Sequence, residues 1–141
     1  MQGDDSILGL VDVQPTFMPG GELAVADGEA VVPVINRLRL GMRLQADSTV
    51  VYAASGGSGV LDHPLTRREL DADDPYNTYR VQGLPPGPIC APGIASLQAV
   101  LHPAPSDDLY FVANGSGGHS FARTLAQHDA NVKRWRGVDL R

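Results

Sequence analysis

Two tyrosines, an amide and a hydroxyl crowd into residues 76–79, YNTY, and a stiff turn follows them in RVQGLPPGPICAPG, ending at Gly93. Hydroxyls, amides and aromatic faces are the groups with which a groove holds a sugar. Thr78 and Tyr79 favour extended backbone. Gly83 can take a positive φ, and Pro85 and Pro86 fix φ and push the residue before each toward an extended form. Tyr76, Asn77, Thr78 and Tyr79 would then stand at defined positions. The same residues also suit a plain proline turn that ends a strand, the commoner use of such loops. A proline-motif ligand for an adaptor domain fits less well, because the flanks read as folded.

A second polar set lies upstream. In the stretch from Arg43 to Ala53, Gln45, Asp47 and Thr49 alternate. In a strand these would share one face, with Val50 and Tyr52 on the other. A solvated strand face is the competing reading. Other chemistry-bearing residues are sparse. Asp71, Asp73 and Asp74 approach YNTY as a carboxylate cluster, but no cation-loop pattern follows, so a solvated turn is favoured and no metal site is expected. Cys90 is the sole cysteine. It can form no internal disulfide and reads as a packing residue in the proline loop. His119 falls on a hairpin, where a structural histidine is the favoured reading. No cofactor-binding motif is present.

The elements that must position these groups read as α+β. We expect a small, mostly antiparallel sheet from Thr49–Tyr52, Thr78–Val81, Leu109–Ala113 and His119–Ala122, with a C-terminal β-hairpin and surrounding helices. Ile7–Val13, ILGLVDV, is a continuous apolar run that predicts an extra N-terminal strand, ending near Asp12. Asp27–Leu40 predicts a helix capped by Asp27, with Pro33 in its first turn, a buried stripe at Val34, Ile35 and Leu38, and Gly41 ending it. Thr66 and Glu69 form a capping box for a short helix. Ile94, Leu97 and Leu101 mark an apolar helix stripe. Asn114-Gly115 makes a hairpin tip. A last helix, capped by Thr124 and Gln127, turns Leu125, His128, Val132 and Trp135 toward the core.

With 141 residues, one domain is the prior, and 43% hydrophobic content supports a folded core. The net charge of −5 argues against a nucleic-acid partner. No apolar run reaches membrane-span length, and MQGDDS lacks the basic start of a secretory signal, so the chain as written predicts a cytoplasmic protein with no membrane segment.

YNTY followed by GLPPGPI and PG resembles the signature of the endolytic murein transglycosylases, the YceG-like family. Asn36–Ala53, NRLRLGMRLQADSTVVYA, and Pro103–Val132 resemble the segments on either side of that signature. The resemblance runs from about Val34 to the C-terminus. It implies peptidoglycan glycan strands as the partner, with Gln45, Asp47, Thr49, Tyr76, Asn77, Thr78 and Tyr79 lining the groove. It also implies lytic cleavage after N-acetylmuramic acid to a 1,6-anhydro end, in a family anchored in the membrane and facing the cell wall. One glutamate in an EKET-like stretch upstream of the NRL segment serves that family as proton donor. EKET is absent here. Glu22 and Glu29 lie in the right part of the chain without that context, which predicts impaired cleavage.

The first block differs. DVQPTFMPGGELAV (Asp12–Val25) resembles the opening of nicotinamidase and isochorismatase-like hydrolases, which implies Asp12 as a catalytic group and Phe17 as a pocket wall. Lys133 and Cys90 do not fall where that family's lysine and cysteine would. Together the two resemblances predict a hybrid, with residues 1–35 hydrolase-like and residues 36–141 transglycosylase-like. Its alternative functions are an amide hydrolase fragment or a non-catalytic glycan-binding protein.

Overall fold

The computed structural model describes residues 30–139. Ile7–Val13, Asp12, Phe17, Glu22, Asp27 and Glu29 lie outside them. In order, the elements are helices α1 (Val31–Arg39), α2 (Asp47–Ala54), α3 (Arg67–Leu70) and α4 (Ile94–Leu101), strands β1 (Tyr110–Ala113) and β2 (His119–Ala122), and helix α5 (Leu125–Asp139). The class is α+β.

The core forms where α1 meets the proline loop. Val31 and Val34 of α1 pack with Leu44 and with Ile89 of GLPPGPI, and Ile35, Leu38, Tyr52, Tyr76, Leu84, Cys90, Val100 and Phe111 surround them. The loop is thus one wall of the core as well as a turn. Pro33 sits in the first turn of α1, where its missing N–H costs nothing. Gly41 ends α1 with φ +68, and Gly83 takes φ +85 ahead of the prolines.

The polar residues of α1 fasten the far end of the chain to it. Asn36 Nδ2 donates to the carbonyls of Ser106 (2.7 Å) and Asp108 (3.0 Å). Arg37 Nε donates to the carbonyl of Leu109, where β1 begins. The Asn-Arg pair of NRL is therefore a clamp between α1 and the hairpin.

Among the described residues the sheet has two strands, paired antiparallel with Phe111 opposite Phe121 and Tyr110 opposite Ala122. The strands expected at Thr49–Tyr52 and Thr78–Val81 are not there. Residues 47–54 are helical, because Thr49 N and its hydroxyl both bond back to the carbonyl of Ala46, closing a turn that buries Val50 and Val51. Residues 78–81 form a turn in which the Asn77 carbonyl accepts from both Arg80 N and Val81 N.

Both expected helix stripes need correction. α4 packs on α1 through its small face, burying Ser96, and leaves Ile94 at 74% and Leu101 at 70% exposure. On α5, His128, Asn131, Val132 and Trp135 are half-buried against the hairpin, while Leu125 is exposed. The later caps hold as read: Thr66 and Glu69 form a reciprocal box, and Gln127 Oε1 accepts from Thr124 N while Thr124 Oγ1 accepts from Gln127 N. Helix α1, expected to start at an Asp27 cap, instead begins at Val31 with Ala30 at its N-cap and no side-chain cap bond.

His128 lies over Tyr110 with ring centroids 5.3 Å apart, and its Nδ1 is buried without a hydrogen-bond partner. Burial lowers its pKa below the ordinary 6.5, against the pull of Asp129 and with the help of Arg37. Its contribution is therefore intact above pH 6.5 and declines as pH falls below it, because the unfolded chain takes up a proton that the folded chain resists. His63 is exposed with a raised pKa, led by its bond to the Pro64 carbonyl, and so contributes with the opposite sign. The expected result is a pH-stability curve between pH 7 and 5 whose decline on acidification is shallower in His128→Phe, measured by thermal unfolding. Parallel curves would refute the assignment.

Candidate functional site

Two segments run side by side to build the site. Residues 41–46 follow α1, and residues 78–82 run from the second half of YNTY into the three residues after it. Gln82 Nε2 donates to the Gly41 carbonyl, Arg43 Nη1 to the Tyr79 carbonyl (3.3 Å), and Gln45 N to the Thr78 carbonyl (3.2 Å). Gln45 takes φ +50, the sole non-glycine positive φ among the described residues. For a non-glycine residue that conformation costs about 1 kcal/mol or more and persists only where neighbouring bonds impose it.

Beneath this zip lies a buried hydroxyl pair. The hydroxyls of Thr49 and Thr78 meet at 2.9 Å. Thr78 Oγ1 also accepts from Ala46 N (3.0 Å), and Thr49 Oγ1 accepts from Thr78 N (3.3 Å). Both threonines are 0% exposed. Asn77, at 1%, spends its whole amide on backbone. Its Nδ2 donates to the carbonyls of Leu70 (3.0 Å) and Ala72 (2.8 Å), and its Oδ1 accepts from Tyr79 N (3.0 Å). Tyr76 packs its ring on Tyr52 at 5.0 Å, with its hydroxyl beside Gly87.

Of the seven residues expected to line a groove, Thr49, Asn77 and Thr78 are thus an internal frame, and Tyr76 is a core wall. Gln45, Asp47 and Tyr79 remain at the surface side. Tyr79 donates its hydroxyl to Asp47 Oδ1 at 2.5 Å. Burial first, then the bond to Asp47 and its charge, raise the phenol's pKa above its ordinary value, so Tyr79 is a neutral donor across the physiological range.

Tyr79 faces an open cleft of about 470 Å³ lined by Arg43, Arg67, Leu70, Asp71, Asp73, Tyr79 and Arg80. Arg67 and Asp71 pair at 2.8 Å across one turn of α3. Asp74 is turned away, its Oδ1 accepting from Tyr76 N. Among the described residues no three His, Cys, Asp or Glu side chains gather as a metal site. His119 packs edge-on to Phe111 at 5.5 Å, away from the cleft's lining. Cys90 is half-buried at the core's edge. Sequence reasoning missed the arginines, whose only local signal is Arg80 directly after YNTY.

A family model described as the YceG-like family matches residues 27–134. The endolytic murein transglycosylase of Bacillus subtilis (strain 168) is 43% identical over 111 residues, covering 78% of this chain and 30% of the relative. That of Streptococcus pneumoniae serotype 2 (strain D39 / NCTC 7466) is 34% identical over 103 residues, covering 69% and 18%. The 2.6 Å crystal structure of the yceG-like protein lmo1499 from Listeria monocytogenes aligns with a TM-score of 0.66 and 36% identity, over 92% of this chain and 37% of that one. The chain therefore spans 37% or less of the length of each of these relatives. The family match begins at residue 27, ahead of Val34, so Glu29 falls inside it. These matches lend the hydrolase resemblance of the first block no support. No helix among the described residues is long and apolar enough to cross a membrane.

Proposed function

The chain belongs to the YceG-like family, and from that premise we propose that it carries the glycan-binding part of a peptidoglycan lytic transglycosylase. The observation that carries this reading is the open cleft seated on Tyr79, the last residue of YNTY, above a frame of buried bonds. Tyr79 offers a neutral aromatic face beside the cleft, and Gln45 and Asp47 offer polar groups on the adjoining segment. Those are the contacts a sugar's rings, hydroxyls and acetamido groups use.

Lytic cleavage needs one carboxyl held neutral in an apolar pocket, which protonates the leaving oxygen and then takes the proton of the sugar's 6-hydroxyl. No carboxylate at or beside the cleft sits in such a pocket: Asp47 accepts from Tyr79, Asp71 pairs with Arg67 in the open, and Asp73 is exposed on the cleft's lining. We therefore assign the proton donor to none of them. Glu22 and Glu29 stay the candidates by position, and without an EKET-like context the reading is strong binding with weak or absent cleavage. The amide-hydrolase alternative rests on Asp12 alone, which lies outside the described residues.

Incubation of the 141-residue chain with purified sacculi tests this. The expected result is co-sedimentation with insoluble peptidoglycan, and anhydro-muropeptides absent or trace by mass spectrometry. Failure to co-sediment would sink the glycan reading. Robust anhydro products lost in Glu29→Gln or Glu22→Gln would show that a proton donor survives.

A further inference from the structure

Three guanidinium groups, Arg43, Arg67 and Arg80, share one cleft in a chain of net charge −5. Sugar rings of a glycan strand give them no anion to hold. Arg67 is accounted for by Asp71. Arg43 uses one N–H of Nη1 on the Tyr79 carbonyl, which orients the group and leaves most of its donors open. Arg80 forms no ion pair among the described residues. These two sit on the paired segments 41–46 and 78–82, so their backbones are held in fixed relation. Asp73 lines the same cleft, also without a salt-bridge partner among the described residues.

We propose that this cleft binds the carboxylate-bearing peptide stem that peptidoglycan carries on its muramyl lactyl group, with Arg43 and Arg80 as the carboxylate-binding pair. Guanidinium forks match carboxylates in two parallel bonds. Asp73 supplies the complementary charge for the ammonium of the stem's diamino acid. A lining of both signs suits such a zwitterionic peptide and opposes a polyanion, which Asp71 and Asp73 would repel. The cleft's volume of about 470 Å³ lies within the range that takes a ligand of a few residues. This inference rests on the glycan reading above and names the substituted strand as its substrate.

Fluorescence anisotropy separates the two ideas. The probes are soluble uncrosslinked glycan strands bearing peptide stems, the same strands stripped by a muramoyl-alanine amidase, and the free stem peptide. Peptide-bearing strands should bind about tenfold more tightly than stripped ones, the size of one lost charge-assisted pair. Arg80→Gln should abolish that ratio while stripped-strand binding and melting temperature hold. Arg43→Gln should abolish it and also weaken stripped-strand binding, because Arg43 holds the Tyr79 carbonyl, and Arg123→Gln should change nothing. Equal affinity for both strands, or an Arg80→Gln loss shared equally by both, overturns the inference and leaves the glycan reading standing. Arginine-dependent binding of free peptide with no binding of stripped strands keeps the stem site and sinks the glycan reading. No binding of any probe sinks both.

Discussion

Replacing Arg37 with methionine should lower the free energy of unfolding by about 3 kcal/mol, read from urea denaturation. Arg37 is 9% exposed on the inner face of α1. Its fork donates to three backbone carbonyls: Leu109 through Nε, and Arg43 (3.1 Å) and Leu44 (2.8 Å) through Nη1. The guanidinium also lies 4.6 Å over the ring of Tyr110. Burial lowers its pKa, and Tyr110 and Tyr79 offset this only in part. No carboxylate pairs with it among the described residues, so carbonyl dipoles and a ring face stabilise the charge. Methionine keeps the packing of the stem and deletes the fork, leaving three carbonyls on two segments without their donor. Arg37→Lys should recover little, because one ammonium cannot span the three carbonyls. A loss under about 1 kcal/mol in Arg37→Met would mean that the cost of burying the charge cancels its bonds.

Arg37 also shows what a local reading of the chain can and cannot carry. Features fixed within a few residues were legible. The Thr66–Glu69 box, the positive φ of Gly41 and Gly83 and the turn at Asn114-Gly115 each follow from a short-range steric or hydrogen-bonding need. The alternation of Gln45, Asp47 and Thr49 was misread because a five-residue polar pattern fits strand and helix alike. The turn closes through Thr49 onto the Ala46 carbonyl, and the Thr49 hydroxyl that closes it is also held by Thr78, 29 residues away. On α4 the apolar stripe predicts burial, but helix packing selected the smaller face, where Ser96 and Ala99 allow close approach to α1. Arg43, Arg67 and Arg80 share no period, and only the fold brings them to one cleft. Fold class and family could thus be read from sequence. The division between residues that frame the site and residues that face it could not, since an asparagine or threonine reads the same in either role.

Asn77→Ala separates those roles with an effect of about 3 kcal/mol on stability, the cost of stranding buried backbone groups that lose their partner. The amide holds the end of α3 through the carbonyls of Leu70 and Ala72 and fixes the backbone of Tyr79, so three bonds fail together. Binding to sacculi should fall in the same variant, because Tyr79 and the cleft beside α3 lose their common anchor. Asn77→Asp sharpens the case. A carboxylate can still accept from Tyr79 N, but it meets two carbonyls that need a donor, and burial opposes its charge. It should therefore be at least as damaging as alanine at pH 7 and milder at pH 5, where a protonated carboxyl regains one donor. Arg80→Gln, by contrast, should weaken binding to peptide-bearing strands at unchanged melting temperature. If Asn77→Ala lost glycan binding while its unfolding curve stayed at the wild-type midpoint, Asn77 would be a ligand-contacting residue and the buried frame described here would be wrong.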